Sequence, residues 1–306
     1  MRIAVVGASG FIGTAVKKCL IDDGHEVVSV RAPRVEAGEV AGGVDAQEAA
    51  TSTLTAAFRG VAAVINASGN PDASEQNSDA LVAANAVSPA VVARAARLAA
   101  VQRLVHVSSA VVQGRRSILD DSDETEEFSS YAFSKAEGER LVRQEFPEST
   151  IYRPPSVHAA SRRVTSMTAR IAGSPMATVA APGDQPSPQA LIGNVAAAVA
   201  FLAVTEKAPP AVVIHPWEGL TSLDVMKLLG GKRPLVLPRG VASGVCRVLE
   251  QAGTRVPAIA ANARRVEMLW FGQQQAQSWL TSVGWTPPHG RDAWRELGRE
   301  IRSGHA

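Results

Sequence analysis

The sequence predicts an α/β fold: a doubly wound parallel sheet with a smaller C-terminal substrate lobe. Three observations predict it. Short apolar runs of strand length alternate with amphipathic helical patterns through the first half of the chain. Gly7, Gly10 and Gly13 form a glycine-rich turn between the first such run and the first helix. After Pro154 the character changes: proline and glycine become frequent and the apolar runs shorten.

The elements follow in order. Ile3 to Val6 is a buried-strand run, and the pattern from Phe11 to Asp23 is an amphipathic helix that Gly24 ends. EVVSVR is the second strand. A short helical stretch near Thr53 to Phe58 precedes a third strand, Ala62 to Ala67. Ser78 to Ala99 reads as one long helical pattern in which Pro89 predicts a kink or a break. Arg103 to Ser109 is the fourth strand, Tyr131 to Phe146 a charged amphipathic helix, and Ser149 to Pro154 a further strand. Beyond it, a helix near Ile192 to Thr205 returns to the sheet, AVVIHP and LVLP are short strands, and Arg291 to Arg302 is a final helix. The predicted division is residues 1–154, with about 187–206, for the sheet domain. Residues 155–186 and 207–306 then form the lobe over its carboxyl edge, where ligands of such sheets bind.

Composition excludes several function classes. Of 306 residues 46% are hydrophobic and 20% charged, and the net charge of +2 is scattered, so no nucleic-acid footprint is present. Cys19 and Cys246 are far apart and build no disulfide framework, which points to a reducing, cytoplasmic setting. The opening MRIAVVGASG is too short and glycine-rich for a signal peptide. The longest apolar run, from Ala190, contains Asn194 and falls short of a membrane span, so no membrane partner is expected. The six histidines have no metal-ligand spacing, which predicts no metal.

The turn VVGASGFIG is where chemistry enters. Glycine is required there for a tight turn, close backbone approach to a pyrophosphate and close helix packing, while the helix N-terminus presents free N–H groups. Gly7, Gly10, Phe11, Ile12 and Gly13 are therefore the expected phosphate-side residues of a Rossmann-type dinucleotide site. An acid about 20 residues past such glycines ordinarily accepts the ribose hydroxyls of NAD. Arg31 stands in that place, with Arg34 three residues on. A guanidinium pairs with a 2′-phosphate through its fork, so the expected cofactor is NADP, as NADPH, with NAD as the alternative. Two solvated loop arginines are the other reading. Asp45, in GGVDA, is expected to cap the adenine amino group.

YAFSK places Tyr131 and Lys135 four residues apart, on one helix face. A free tyrosine titrates near ~10, and a neighbouring ammonium favours the phenolate. Lys135 can also hold the nicotinamide ribose. Ser109, at the end of the fourth strand, can hydrogen-bond the substrate oxygen whose proton Tyr131 supplies or takes.

The ordered set GASGFIG, VINASG, AANAVSP, LVHVSSAVVQG, YAFSKAEGE and IYRPPSVH resembles the extended short-chain dehydrogenase/reductase family, the nucleotide-sugar epimerase and dehydratase group. The resemblance runs from Met1 to about His158 and recurs faintly to QSWLTSVGWTPP. It implies that Ser109 is the catalytic serine or threonine, Tyr131 the acid/base and Lys135 its ribose-binding partner. Asn85 then supports the sheet or a proton relay beside the cofactor, Ala67, Ser68 and Gly69 lie along it, and Pro154 and Val157 sit near the nicotinamide. Ala110 and Val111 stand where 4,6-dehydratases of the family carry an acid pair, which argues against that activity. Gln113 and His158 stand where tyrosines are frequent and are expected to face the substrate. Arg115–Arg116 and Arg162–Arg163 are expected at the cleft rim, DDSDETEE as a solvated loop, and Trp270, Phe271, Trp279 and Trp285 as core of the smaller lobe. The resemblance further implies a homodimer built through the two long helices.

The expected function is an NADPH-dependent reductase that delivers hydride to a ketone, with a nucleotide-linked keto-deoxysugar as the small-molecule substrate. A nucleotide-sugar epimerase holding NAD tightly is the alternative. A catalytically idle NADP-binding redox sensor is a third, against which the intact Ser109, Tyr131 and Lys135 argue.

Overall fold

The computed structural model describes residues 1–35, 44–72, 75, 77–253 and 257–304, with the side chains of 44–46, 257–262 and 265 outside that set. The chain begins β1 (Arg2–Val6), α1 (Phe11–Asp22), β2 (Glu26–Val30), α2 (Val44–Ala57), β3 (Ala63–Asn66) and α3 (Ser78–Val82). A π turn (Ala83–Val87) leads into α4 (Ser88–Leu98) and β4 (Arg103–Val107), and a 3-10 turn (Ala110–Gln113) into β5 (Ile118–Leu119). Then come α5 (Ser130–Glu145), β6 (Thr150–Arg153), β7 (Ser156–His158), α6 (Arg163–Gly173), β8 (Thr178–Ala180) and β9 (Gln189–Leu191). The remainder is α7 (Ile192–Val204), β10 (Val212–Ile214), α8 (Ser222–Gly230), β11 (Leu235–Leu237), α9 (Arg239–Gly253) and α10 (Pro257–Phe271). It closes with β12 (Gln274–Gln275), α11 (Trp279–Ser282) and α12 (Arg291–Arg302).

Six strands form one parallel sheet in the order β10-β6-β4-β3-β1-β2. From β1 the chain moves one way to β2 and the other way to β3, so the strand order reverses at the β1/β3 boundary. A crevice for ligands opens at the carboxyl ends of such a pair. Successive side chains of each strand sort into two cores. Ile3, Val5, Ile65, Val105, Val107 and Val213 pack with α1 and α7 on one face. Ala4, Val6, Val64, Leu104, Ile151 and Val212 pack with α2, α4 and α5 on the other. Burial on both faces explains why these strands read as continuous apolar runs rather than alternating ones. A third apolar cluster joins α6, α8 and α12 around Leu220, Leu229 and Trp294.

Pro89 marks a helix boundary, as its chemistry requires. It lies in the first turn of α4, just after the π turn, and it has no N–H to give the carbonyl of Asn85 four residues back. Three expectations change. The helix before β3 starts at Val44 rather than near Thr53, because its first turns are too polar to show an apolar stripe. α9 and α10 pack on each other in a segment where the sequence shows mainly broken apolar runs. Trp279 and Trp285 pack on Phe201 of α7 beside the main sheet, not in a separate lobe core. Among the described residues, only Ser78–Leu98 is long and apolar enough to cross a membrane, and most of its apolar window is buried inside the protein.

Candidate active site

The glycine turn joins β1 to α1. Gly7 has φ +77, its N–H donates to Val30 O at 3.1 Å, and Gly10 N–H returns to Gly7 O at 2.9 Å. A Cβ on Gly13 would lie 2.1 Å from Gly7 O, and one on Gly7 would lie 2.9 Å from Ser68 Cα. The turn therefore tolerates no side chain at either place, which brings Ala67, Ser68 and Gly69 at the end of β3 against the start of α1. No side chain caps α1 at Gly10, so its first N–H groups, from Phe11 and Ile12 on, are left for a ligand. This backbone cradle fits a dinucleotide pyrophosphate.

Arg31 and Arg34 follow β2 beside this turn. Both are exposed, and neither has an ion pair among the described residues. No carboxylate occupies the strand end. Asp45 falls in the first turn of α2 with its side chain outside the described set.

Across the crevice, β4 and α5 bring Ser109, Tyr131 and Lys135 together. Ser109 caps the 3-10 turn, accepting from Val111 N–H at 3.3 Å. Its hydroxyl also acts on the Tyr131 phenol, favouring the ionised form. Tyr131 stands in the first turn of α5, which Ser129 caps by accepting from Ala132 N–H at 3.1 Å. Burial pushes the phenol above its ordinary value, while Arg162 and Ser109 pull it back. Lys135, one turn on, is 5% exposed and donates to Val107 O at 3.1 Å. Burial pushes its ammonium down to about 8 against the pull of Glu139. The Lys135 ammonium is turned to a carbonyl, and the guanidinium of Arg162 favours ionisation of the Tyr131 phenol.

Several other predicted residues have different work. Asn85 Nδ2 donates to Ser134 Oγ at 3.0 Å and Asn70 O at 3.1 Å, and its Oδ1 accepts from Asn70 N–H at 2.8 Å. It clamps the loop after β3 onto α5. Pro154 O accepts from Ala110 N–H at 2.8 Å, beside Ser109, and Val157 pairs with Ala190 in β7–β9. Gln113 and His158 do not face the substrate side. Gln113 is fully buried, and its amide holds Asp120 and Glu124 of the acidic loop. His158 is bonded to Gln189 at 2.7 Å, packs on Trp294, and is pushed down by burial to about 4. Arg116 is tied to Asp120 and Glu124 in that same loop.

Beneath Lys135 lies an ionic layer that sequence reasoning missed. Arg153 and Glu139 pair at 2.6 Å with both side chains essentially unexposed, and Ser108 Oγ donates to Glu139 at 2.5 Å. The signal was present in K-x-x-x-E, one turn past Lys135, and in a charged residue inside the apolar strand IYRP. Next to this layer, His106 is fully buried with neither ring nitrogen bonded, and burial with the nearby Lys135 charge holds it neutral.

Known proteins share this fold. The model of the NAD dependent epimerase/dehydratase family matches residues 3–214. The fold resembles a dTDP-4-dehydrorhamnose reductase from Bacillus anthracis str. Ames in complex with NADP, at TM-score 0.66 and 15% identity, covering 100% of this chain and 99% of that one. It resembles equally well a reductase of the same name from Yersinia enterocolitica, at TM-score 0.66 and 14% identity over 98% and 99% of the two chains. The UDP-glucose 4-epimerase of Thermus thermophilus, in complex with NAD, gives TM-score 0.63 and 19% identity over 99% of each chain. No curated protein matches the sequence. The chain belongs to the NAD dependent epimerase/dehydratase family, in the extended short-chain dehydrogenase/reductase group that its motifs resemble.

Proposed function

We propose that the protein is an NADPH-dependent reductase acting on the ketone of a nucleotide-linked keto-deoxysugar. The observation that carries this is the end of β2, where exposed Arg31 and Arg34 stand in place of a carboxylate beside the glycine cradle. Tyr131, with Lys135 one helical turn on, is protonated at neutral pH as any tyrosine is, and can give that proton to an alkoxide. The dinucleotide, when bound, supplies the hydride. Ser109 hydrogen-bonds the carbonyl oxygen and Tyr131 delivers the proton to that oxygen as it becomes an alkoxide. Lys135 holds the ribose, and Glu139 keeps the ammonium charged. Arg31 and Arg34 favour the 2′-phosphate, because no carboxylate at the end of β2 repels it. In this reading residues 1–154 with about 187–206 hold the cofactor, and the rest holds the substrate.

One observation favours a second reading. The same fold matches an NAD-bound epimerase about as well as an NADP-bound reductase, and the epimerase reading assigns the chemistry to the same three side chains. Tyr131→Phe tests the enzyme reading against the idle sensor. It removes the proton donor without emptying the cradle, so ketone-dependent NADPH consumption falls by roughly 10²- to 10⁴-fold while NADPH affinity is kept. Full turnover in this variant contradicts the role given to Tyr131.

A further inference from the structure

Arg162 is the one part-buried arginine at this site that the described residues leave short of partners. It precedes α6, its Nη1 donates to Val157 O at 3.1 Å, and its guanidinium lies 4.9 Å from the centroid of the Phe11 ring. Other part-buried arginines are matched. Arg153 meets Glu139, Arg94 meets Glu145, Arg116 meets Asp120 and Glu124, and Arg264 meets Glu267. Arg103, with no carboxylate, bonds three carbonyls, those of Leu202, Thr205 and Lys207. Among the described residues Arg162 has a single carbonyl and no carboxylate, although burial weighs against its charge. A guanidinium carries five N–H donors and is satisfied best by a bidentate anion.

Its neighbours say where that anion would sit. Phe11 is the first residue of α1, next to the cradle, Val157 lies in β7, and the charge reaches the Tyr131 phenol. We propose that Arg162 binds phosphate oxygens of the ligand at the junction between the glycine turn and Tyr131. Two ligands bring that chemistry: the pyrophosphate of the cofactor and the diphosphate of a nucleotide-linked substrate. The second source rests on the reductase reading above; the first does not. Exposed Arg163 beside it has no such environment. The same guanidinium is then a positioning residue for proton transfer, because its charge favours ionisation of Tyr131.

Arg162→Gln and Arg162→Lys test this by binding rather than turnover. NADPH is titrated into the free protein by nicotinamide fluorescence, and inorganic pyrophosphate into the NADPH-loaded protein by calorimetry. Loss of roughly 10- to 100-fold in NADPH affinity in the glutamine variant assigns the cofactor pyrophosphate; the same loss for pyrophosphate alone assigns the substrate side. The lysine variant, with charge but no fork, falls between glutamine and wild type in either arm. A second readout is ultraviolet titration of the phenols. Only Tyr131 and Tyr152 are present, and Tyr152 is held well above the ordinary range by burial, so the first transition belongs to Tyr131. That transition moves to higher pH in Arg162→Gln. Affinities within twofold of wild type in both arms overturn the proposal. If the glutamine variant does not fold, the lysine variant alone decides, by the same measure. Failure of wild type to reduce any ketone, with these binding losses intact, removes the reductase reading and leaves Arg162 as the phosphate-binding residue.

Discussion

At the scale of single residues, the site shows how burial sets charge. His158 occupies an apolar niche against Trp294, so its imidazolium is disfavoured and its value falls from 6.5 to about 4. A group depressed in the folded state gives stability that is complete above its unfolded value and is lost as pH falls towards its folded one. His158 therefore withdraws about 3 kcal/mol of stability between pH 6.5 and about 4, and buried His106 acts in the same direction. Denaturant unfolding across that window should give a falling stability, with a shallower fall in His158→Gln. An identical slope in the variant contradicts this origin. Lys135 has the same sign in another window: its depressed value makes its buried charge a cost below about 8 that is relieved as pH rises towards 10.5. None of these environments is written in the residue's own neighbourhood along the chain. The sequence leads one to expect His158 in the cleft, because local sequence does not reveal that its side chain meets Trp294.

At the scale of elements, the clearest device is the contact between the π turn and α5. Pro89 leaves the Asn85 carbonyl without its helical donor, and α5 presses Gly138 onto it so closely that a Cβ there would lie 2.0 Å from Asn85 O. Gly138→Ala should therefore cost about 1–3 kcal/mol by overpacking. Gly244→Ala, on α9, meets nothing within 4 Å and should gain roughly 0.5–1 kcal/mol from helix propensity alone. Equal effects of the two substitutions in chemical denaturation contradict the packing account. Elements with strong local grammar were legible: β1, the glycine turn, α1, and Tyr131 with Lys135 one turn apart. The start of α2 was not, since its first turns are polar, nor was the α9–α10 pair, whose apolar faces are defined only by each other. Asn85 was legible as a supporting residue, but its bonds to Asn70 and Ser134 are made across elements and appear only on folding.

At the scale of the whole molecule, one sheet arranges the chemistry. The reversal of strand order puts the carboxyl ends of β1 and β3 side by side, and the cradle, Ala67–Gly69 and the Ser109–Tyr131–Lys135 group all border that crevice. A buried Arg153–Glu139 pair underlies the lysine, and loss of either partner would leave an uncompensated charge in the core. Net reduction with NADPH is favoured by two exposed arginines at the end of β2. The most direct test is the cofactor itself. Nucleotide released from the purified protein by denaturation is identified, and the emptied protein is titrated with NADPH and NADH by fluorescence. The account predicts an empty or reversibly loaded protein that binds NADPH at least about tenfold more tightly than NADH, a preference erased in Arg31→Ala. Retained NAD with no preference for the phosphorylated form contradicts it and places the epimerase reading first.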